Sequence, residues 1–201
     1  MRRLIALFAL CLAFGASAAP ATVDAVLAHL ATHRAVRADF TQTRENPALA
    51  EPQVSRGDLL FVVGHGMLWH TRTPYDDTLV FTAGGTSRAD AEGRLQRVRD
   101  ANRGVSQVTA MLQGLLAGRS DEAARQFDIA AEGDPDHWTL RFTPRQSRMA
   151  KVLQGIVLTG GEFLEGIDVN MANGERTRID FARTRDAGTP GPIEAKLLGL
   201  P

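Results

Sequence analysis

Five apolar residues in a row, Leu59, Leu60, Phe61, Val62 and Val63, stand in a stretch that otherwise reads as β-strand. Successive side chains of a strand point to opposite faces, so this run is apolar on both. Both sides of its sheet must therefore meet something other than bulk water, which demands a cover on each face.

The surrounding chain supplies strands in quantity. Val36, Ala38 and Phe40 alternate with Arg37, Asp39 and Thr41, and "ENPALAEPQ" interrupts as a loop before a strand over 53–63. Gly64, His65 and Gly66 make a hairpin connection into "MLWHTR", and Thr73, Pro74 and Tyr75 open the turn before "DTLVFTA". Short strands continue over 86–90 and 94–99. After a helical interval the same grammar returns in "ARQFDIAAE", "HWTLRFTP", "RMAKVLQGIVLTG", "EFLEGIDVNM" and "ERTRIDFART". Asp134-Pro135-Asp136 and Ala172-Asn173-Gly174 mark turns.

Two segments switch to helical period. Val23, Val26, Leu27 and Leu30 follow a Thr22 cap, and Val105, Val108, Met111, Leu112, Leu115 and Leu116 form a broad apolar face ending near Gly118. Ten or so short antiparallel strands and two amphipathic helices describe one α+β or barrel-like domain. The tail from Asp186 is rich in glycine and proline, with "IEAKLL" able to add a terminal turn or contact.

The first nineteen residues stand outside this fold. "MRR", an apolar run of 13 residues and "SAAP" have the three-part form of a secretory signal peptide, and the run is well short of the ~20 residues that span a bilayer. The single cysteine, Cys11, follows Leu10 inside that run rather than a small residue at its end, so no lipid anchor is expected. Its removal leaves a chain without disulfides or thiolate ligands. An exported, soluble protein of about 182 residues follows, with 21 basic against 23 acidic side chains and no global attraction for nucleic acid.

The polar residues do not assemble a recognisable chemistry. His65, His70, Asp76 and Asp77 lack the spacing of a metal motif, and His29 and His33, four apart on a helix, have no glutamate between them. There is no G-x-S-x-G elbow, and "TAGGTS" follows a strand without opening a long helix, so it reads as a turn rather than a phosphate cradle. No catalytic residue, metal or cofactor is expected. The two helices are the available covers for the sheet: packed tightly they complete a core, packed loosely they enclose an apolar pocket.

At this point the chain resembles the periplasmic outer-membrane lipoprotein carrier family, LolA, as a divergent member. The resemblance lies in the first helix, then Val36-Arg37-Ala38-Asp39-Phe40-Thr41-Gln42, Gly57-Asp58-Leu59, Met67-Leu68-Trp69-His70, Pro74, Leu79-Val80, the central "QVTAMLQGLLAG" and the "WTLRFTPR" strand. It covers roughly residues 22–185 and implies an unclosed antiparallel β-barrel whose concave face is covered by helices. The implied cargo is the acyl chains of a lipoprotein or acyl lipid, taken from an inner-membrane donor complex to an outer-membrane acceptor by a monomeric, non-enzymatic carrier. A lipid-sensing or regulatory module on the same half-barrel is the alternative.

On that reading the apolar cavity is lined from the sheet by Phe40, Leu59, Phe61, Leu68, Trp69, Leu79 and Phe81, and from the helices by Leu27, Leu30, Val108, Met111, Leu112 and Leu115. The later strands add Trp138, Leu140 and Ile156. Two departures stand out. Leu68 occupies the place of a family arginine understood to latch the covering helices, and "FTAGGTSRADAEG" replaces an aromatic-rich run after Val80. Both suggest a specialised branch carrying an acyl lipid or lipid-like product.

Overall fold

The computed structural model describes residues 22–98, 111 and 113–201. Its strands form one antiparallel sheet in two meanders. The first comprises β1 (Ala35–Glu45), β2 (Gln53–Val62), β3 (Gly66–Thr73), β4 (Asp77–Thr82), β5 (Gly85–Ala89) and β6 (Leu95–Arg97). The second comprises β7 (Phe127–Asp134), β8 (His137–Pro144), β9 (Leu153–Gly160), β10 (Leu164–Met171) and β11 (Arg176–Asp186). The order across the sheet is β6-β5-β4-β3-β2-β1-β11-β10-β9-β8-β7, so the meanders join where β1 pairs with β11. The terminal strands β6 and β7 do not pair, and the barrel is unclosed as the family resemblance implied.

The helices whose bounds are described in full are short. The first, α1 (Val23–Leu30), starts where the Thr22 hydroxyl accepts the Ala25 amide at 3.2 Å, with Asp24 in the first turn. The described part of α2 is helical over 113–116. Two further helices replace what the sequence reads as strand. In α3 (Asp121–Gln126) two acidic residues open the first turn and Ala123 buries its methyl, so the strand written from "ARQ" begins instead at Phe127. In α4 (Ser147–Ala150) one helical turn precedes β9, moving the strand start from Arg148 to Leu153. The tail forms α5 (Pro192–Leu198), with proline in its first turn, the Gly191 amide donating to the Glu194 carboxylate, and Gly199 in the left-handed conformation at its end.

Each face of the sheet has its own cover. On the concave side Val26, Leu27 and Leu30 of α1 and Leu115 of α2 pack with Trp138, Leu140, Phe142, Ile156, Leu158 and Ile167 of the second meander. Leu116 continues onto the first meander, against Ala38, Leu59 and Phe61. On the convex side Leu60, Val62, Leu68 and Val80 pack against Leu197 and Leu198 of α5. The run at 59–63 is thus apolar on both faces because helices lie on both sides of it.

Candidate functional site

The concave face is built by strand pairing. Register places Ala38 beside Leu59, Leu59 beside Trp69, Phe61 beside Met67, Met67 beside Phe81 and Trp69 beside Leu79. Directly paired residues of an antiparallel sheet share a face, so these side chains make one apolar band across four strands. From β1 the band crosses to β11 through Phe40 and Phe181, and to β10 through Ile179 and Ile167.

An aromatic pair sits in the middle of this band. The rings of Phe40 and Trp69 stack with centroids 3.8 Å apart and planes at 27°. They meet because Gly57, opposite Phe40, has no side chain: a Cβ there would lie 2.9 Å from the Phe40 ring and would collide with the His70 carbonyl. Phe40 is buried, while Trp69 is partly accessible. The helices close over the band from above. Gln113 of α2 donates from Nε2 to the Phe81 carbonyl at 3.3 Å, so α2 touches both meanders.

Most of the sequence-predicted liners come to this face. Leu27, Leu30, Met111, Leu115, Trp138, Leu140 and Ile156 share one buried cluster, and Leu59 and Phe61 share the adjoining one with Trp69 against it. Phe40, Leu79 and Phe81 join through the stack and the register. Val108 and Leu112 lie outside the described residues.

Leu68 is the correction. It pairs with Leu60 and Val80 and lies under α5 on the convex face, 7% exposed, so it cannot line the concave side. An arginine at this position would point away from α1 and α2, which removes Leu68 as the site of a latch on those helices. Met67, Phe142, Leu158, Ile167 and Phe181 belong to the concave face and were absent from the predicted set. The register partner of Phe61 is the signal that finds Met67.

Of the polar residues of the stretch 57–81, Asp58, His70 and Arg72 lie on the convex face, whereas Asp77 pairs with Thr71 on the face of Trp69 and Leu79 and binds Arg88 at 2.7 Å. His70 stands between two carboxylates, Nδ1 3.1 Å from Asp58 and Nε2 3.1 Å from Asp76. Arg72 reaches Asp58 at 3.0 Å and Asp39 at 3.4 Å, and Arg183 pairs with Asp39. Farther along that face Arg37 grips Glu194 of α5 with two hydrogen bonds of 2.7 and 2.6 Å. The Arg37 guanidinium holds the Glu194 carboxyl below its ordinary value, against partial burial and with help from the Gly191 amide. These pairs are ion-pair geometry that ties strands and α5 together. Among the described residues no group of three or more His, Cys, Asp and Glu side chains is placed to hold a metal ion.

The family model described as "Outer membrane lipoprotein carrier protein LolA-like" matches residues 15–194. The chain belongs to this LolA-like family. A curated relative, the outer-membrane lipoprotein carrier protein of Methylibium petroleiphilum, is 28% identical over 179 residues, which are 88% of this chain and 84% of that protein. Among solved structures, a LolA superfamily protein of Nitrosomonas europaea has 14% identity and a TM-score of 0.48, covering 87% of this chain and 97% of that one. A chain of the Pseudomonas aeruginosa MucA/MucB complex has 16% identity and a TM-score of 0.49 over 88% of this chain, which spans 60% of that one.

Membership supports for this chain the coarse role of a lipoprotein or lipid carrier or binding protein, in a family that is periplasmic and whose work is not catalysis. No helix among the described residues is long and apolar enough to cross a membrane.

Proposed function

We propose that this LolA-like protein is a periplasmic carrier that shelters the acyl chains of a lipoprotein or related lipid on its concave face, receiving them from an inner-membrane donor and releasing them to an outer-membrane acceptor. The observation that carries the reading is the construction of that face. Its apolar band is continuous from β4 through β1 to β8, and its cover is not sheet but separate helices, α1 and α2, laid on it. Displacing helices breaks side-chain contacts while leaving the hydrogen-bonded ladders intact, so the trough opens without unfolding the sheet.

The physical need is large. Each exposed methylene costs ~0.8 kcal/mol in water, so two acyl chains of about thirty methylenes together cannot cross an aqueous space unaided. Val26, Leu27, Leu30 and Leu115, which now fill the trough, are aliphatic groups that acyl chains replace in kind.

Native mass spectrometry and lipid extraction of protein purified from a periplasm test the reading. Bound acyl lipid or lipoprotein at a defined stoichiometry is the expected result. A protein that is empty as isolated, and that takes up neither acylated peptide nor acyl lipid in vitro, overturns it.

A further inference from the structure

Six large apolar side chains are exposed among the described residues, and five of them, Leu49, Val54, Tyr75, Leu95 and Val152, sit at one end of the sheet. The pairings place them there. The β1–β2 loop, the end of β3 where Thr73 faces Arg56, the end of β5 where Ala89 faces Thr78, and the β10–β11 turn beyond Glu45 and Arg176 all lie at that end. So does the α4–β9 connection, since Leu153 faces Met171. The neighbouring loops touch: Asn46 donates to Glu175 at 3.0 Å, and a Cβ on Gly174 would stand 3.1 Å from Pro47.

Tyr75 is 80% exposed, Val152 59% and Leu49 48%. They occupy different loop tips, separated by strand widths of about 4.8 Å each, and so offer no contiguous patch of the kind that seats a protein partner. A fluid lipid interface accepts separate tips. Tyrosine, apolar in body and polar at its end, suits the headgroup level. Charge favours one kind of membrane: Arg148 and Lys151, both exposed, flank Val152 on the α4 side, where they meet anionic headgroups. Of the acidic side chains at this end, Glu45 and Glu51 belong to the β1–β2 side, three strand spacings from β9 in the sheet order, Asp76 is engaged by His70, Asp90 and Glu92 are paired with Arg94, and Glu175 of the β10–β11 turn accepts from Asn46.

We infer that this end of the half-barrel docks on the surface of an anionic bilayer, dipping Tyr75, Leu49 and Val152 into the interface while Arg148 and Lys151 hold headgroups. The inference rests on the carrier reading for its purpose, but it is tested separately.

The test is co-sedimentation of the leader-free chain with vesicles of phosphatidylethanolamine and phosphatidylglycerol, or of phosphatidylcholine alone, with acyl-lipid uptake measured on the same samples. Binding to the anionic vesicles that falls by roughly tenfold in Tyr75→Ser with Val152→Ser, and by about fivefold for each charge in Arg148→Gln and Lys151→Gln, supports docking. The neutral vesicles should bind more weakly and ignore the arginine and lysine changes. A protein that sediments with neither vesicle, or that binds equally after the four substitutions, overturns docking. Uptake that survives in all variants keeps the carrier reading standing whichever way docking falls.

Discussion

Arg37 on β1 and Glu194 on α5 meet in a two-pronged ion pair of 2.7 and 2.6 Å that fastens the C-terminal helix to the convex face of the sheet. Each partner is about three-quarters shielded, which strengthens the pair relative to one in open water. It works beside the apolar contacts of Leu197 and Leu198, which cover Leu60, Val62 and Val80.

Because the Glu194 carboxyl is held below its ordinary value, its contribution to stability is complete above the unfolded carboxylate range and is lost as the pH falls through the depressed folded value. Glu194→Gln should cost about 1 kcal/mol at neutral pH. Urea denaturation of wild type and variant should converge in acid, as the pH falls through the depressed folded value. A difference that persists unchanged in acid would show that the charge is not what fastens α5.

Leu68→Arg should act on α5 rather than on the concave helices. It places a charge where Leu60, Val80 and Leu198 pack, and should cost about 2–4 kcal/mol of stability. Leu68→Ala, which leaves only a gap, should cost about 2–3 kcal/mol. Both should raise the protease sensitivity of the tail, while the release rate of bound acyl lipid per folded molecule stays unchanged. Release slowed by Leu68→Arg would return the residue to the lid mechanism.

The two tryptophans should report differently on cargo. Trp69 lies in the concave band against Phe40, whereas Trp138 is fully buried with its Nε1 donating to the Gly161 carbonyl at 2.8 Å. Acyl lipid added to Trp138→Phe should still shift the emission, and added to Trp69→Phe should leave it flat. Trp138→Phe also strands the Gly161 carbonyl and should cost about 1–3 kcal/mol.

Gly57→Ala should be among the most damaging single-methyl changes. Its new methyl group meets the His70 carbonyl and the Phe40 ring together, and neither backbone nor stacked ring has room to retreat. A loss of more than about 2 kcal/mol in chemical denaturation is expected. A variant as stable as wild type would mean that the strands around residue 57 shift more freely than their pairing suggests.

Much of the fold could be read from the sequence because strand and helix periods are local. The double-faced run at Leu59–Val63 announced two covers, and α1 declared itself through Val23, Val26, Leu27 and Leu30. The second cover was harder to see: α5 is seven residues long, too short for its 3.6-residue period to stand out from a glycine- and proline-rich tail. Leu68 was misplaced for a stricter reason. Adjacent residues of a strand face opposite ways, so Leu68 and Trp69 could not both line the trough, and the hairpin register decides for Trp69. The bridging role of α2 was not legible either, since Leu116 reaches the apolar clusters of both meanders only because of where the helix is laid.

The pairing of β1 with β11 also sets an order of events. Every other ladder joins strands that are neighbours in sequence and forms as soon as its hairpin exists. The ladder between residues 36 and 186 closes only when the whole chain is present, so the first meander carries β1 as a bare edge until the last strand arrives. Chain truncated before β11 should therefore be a substrate for self-association, and completion of the domain is the act that hides its own most adhesive strand.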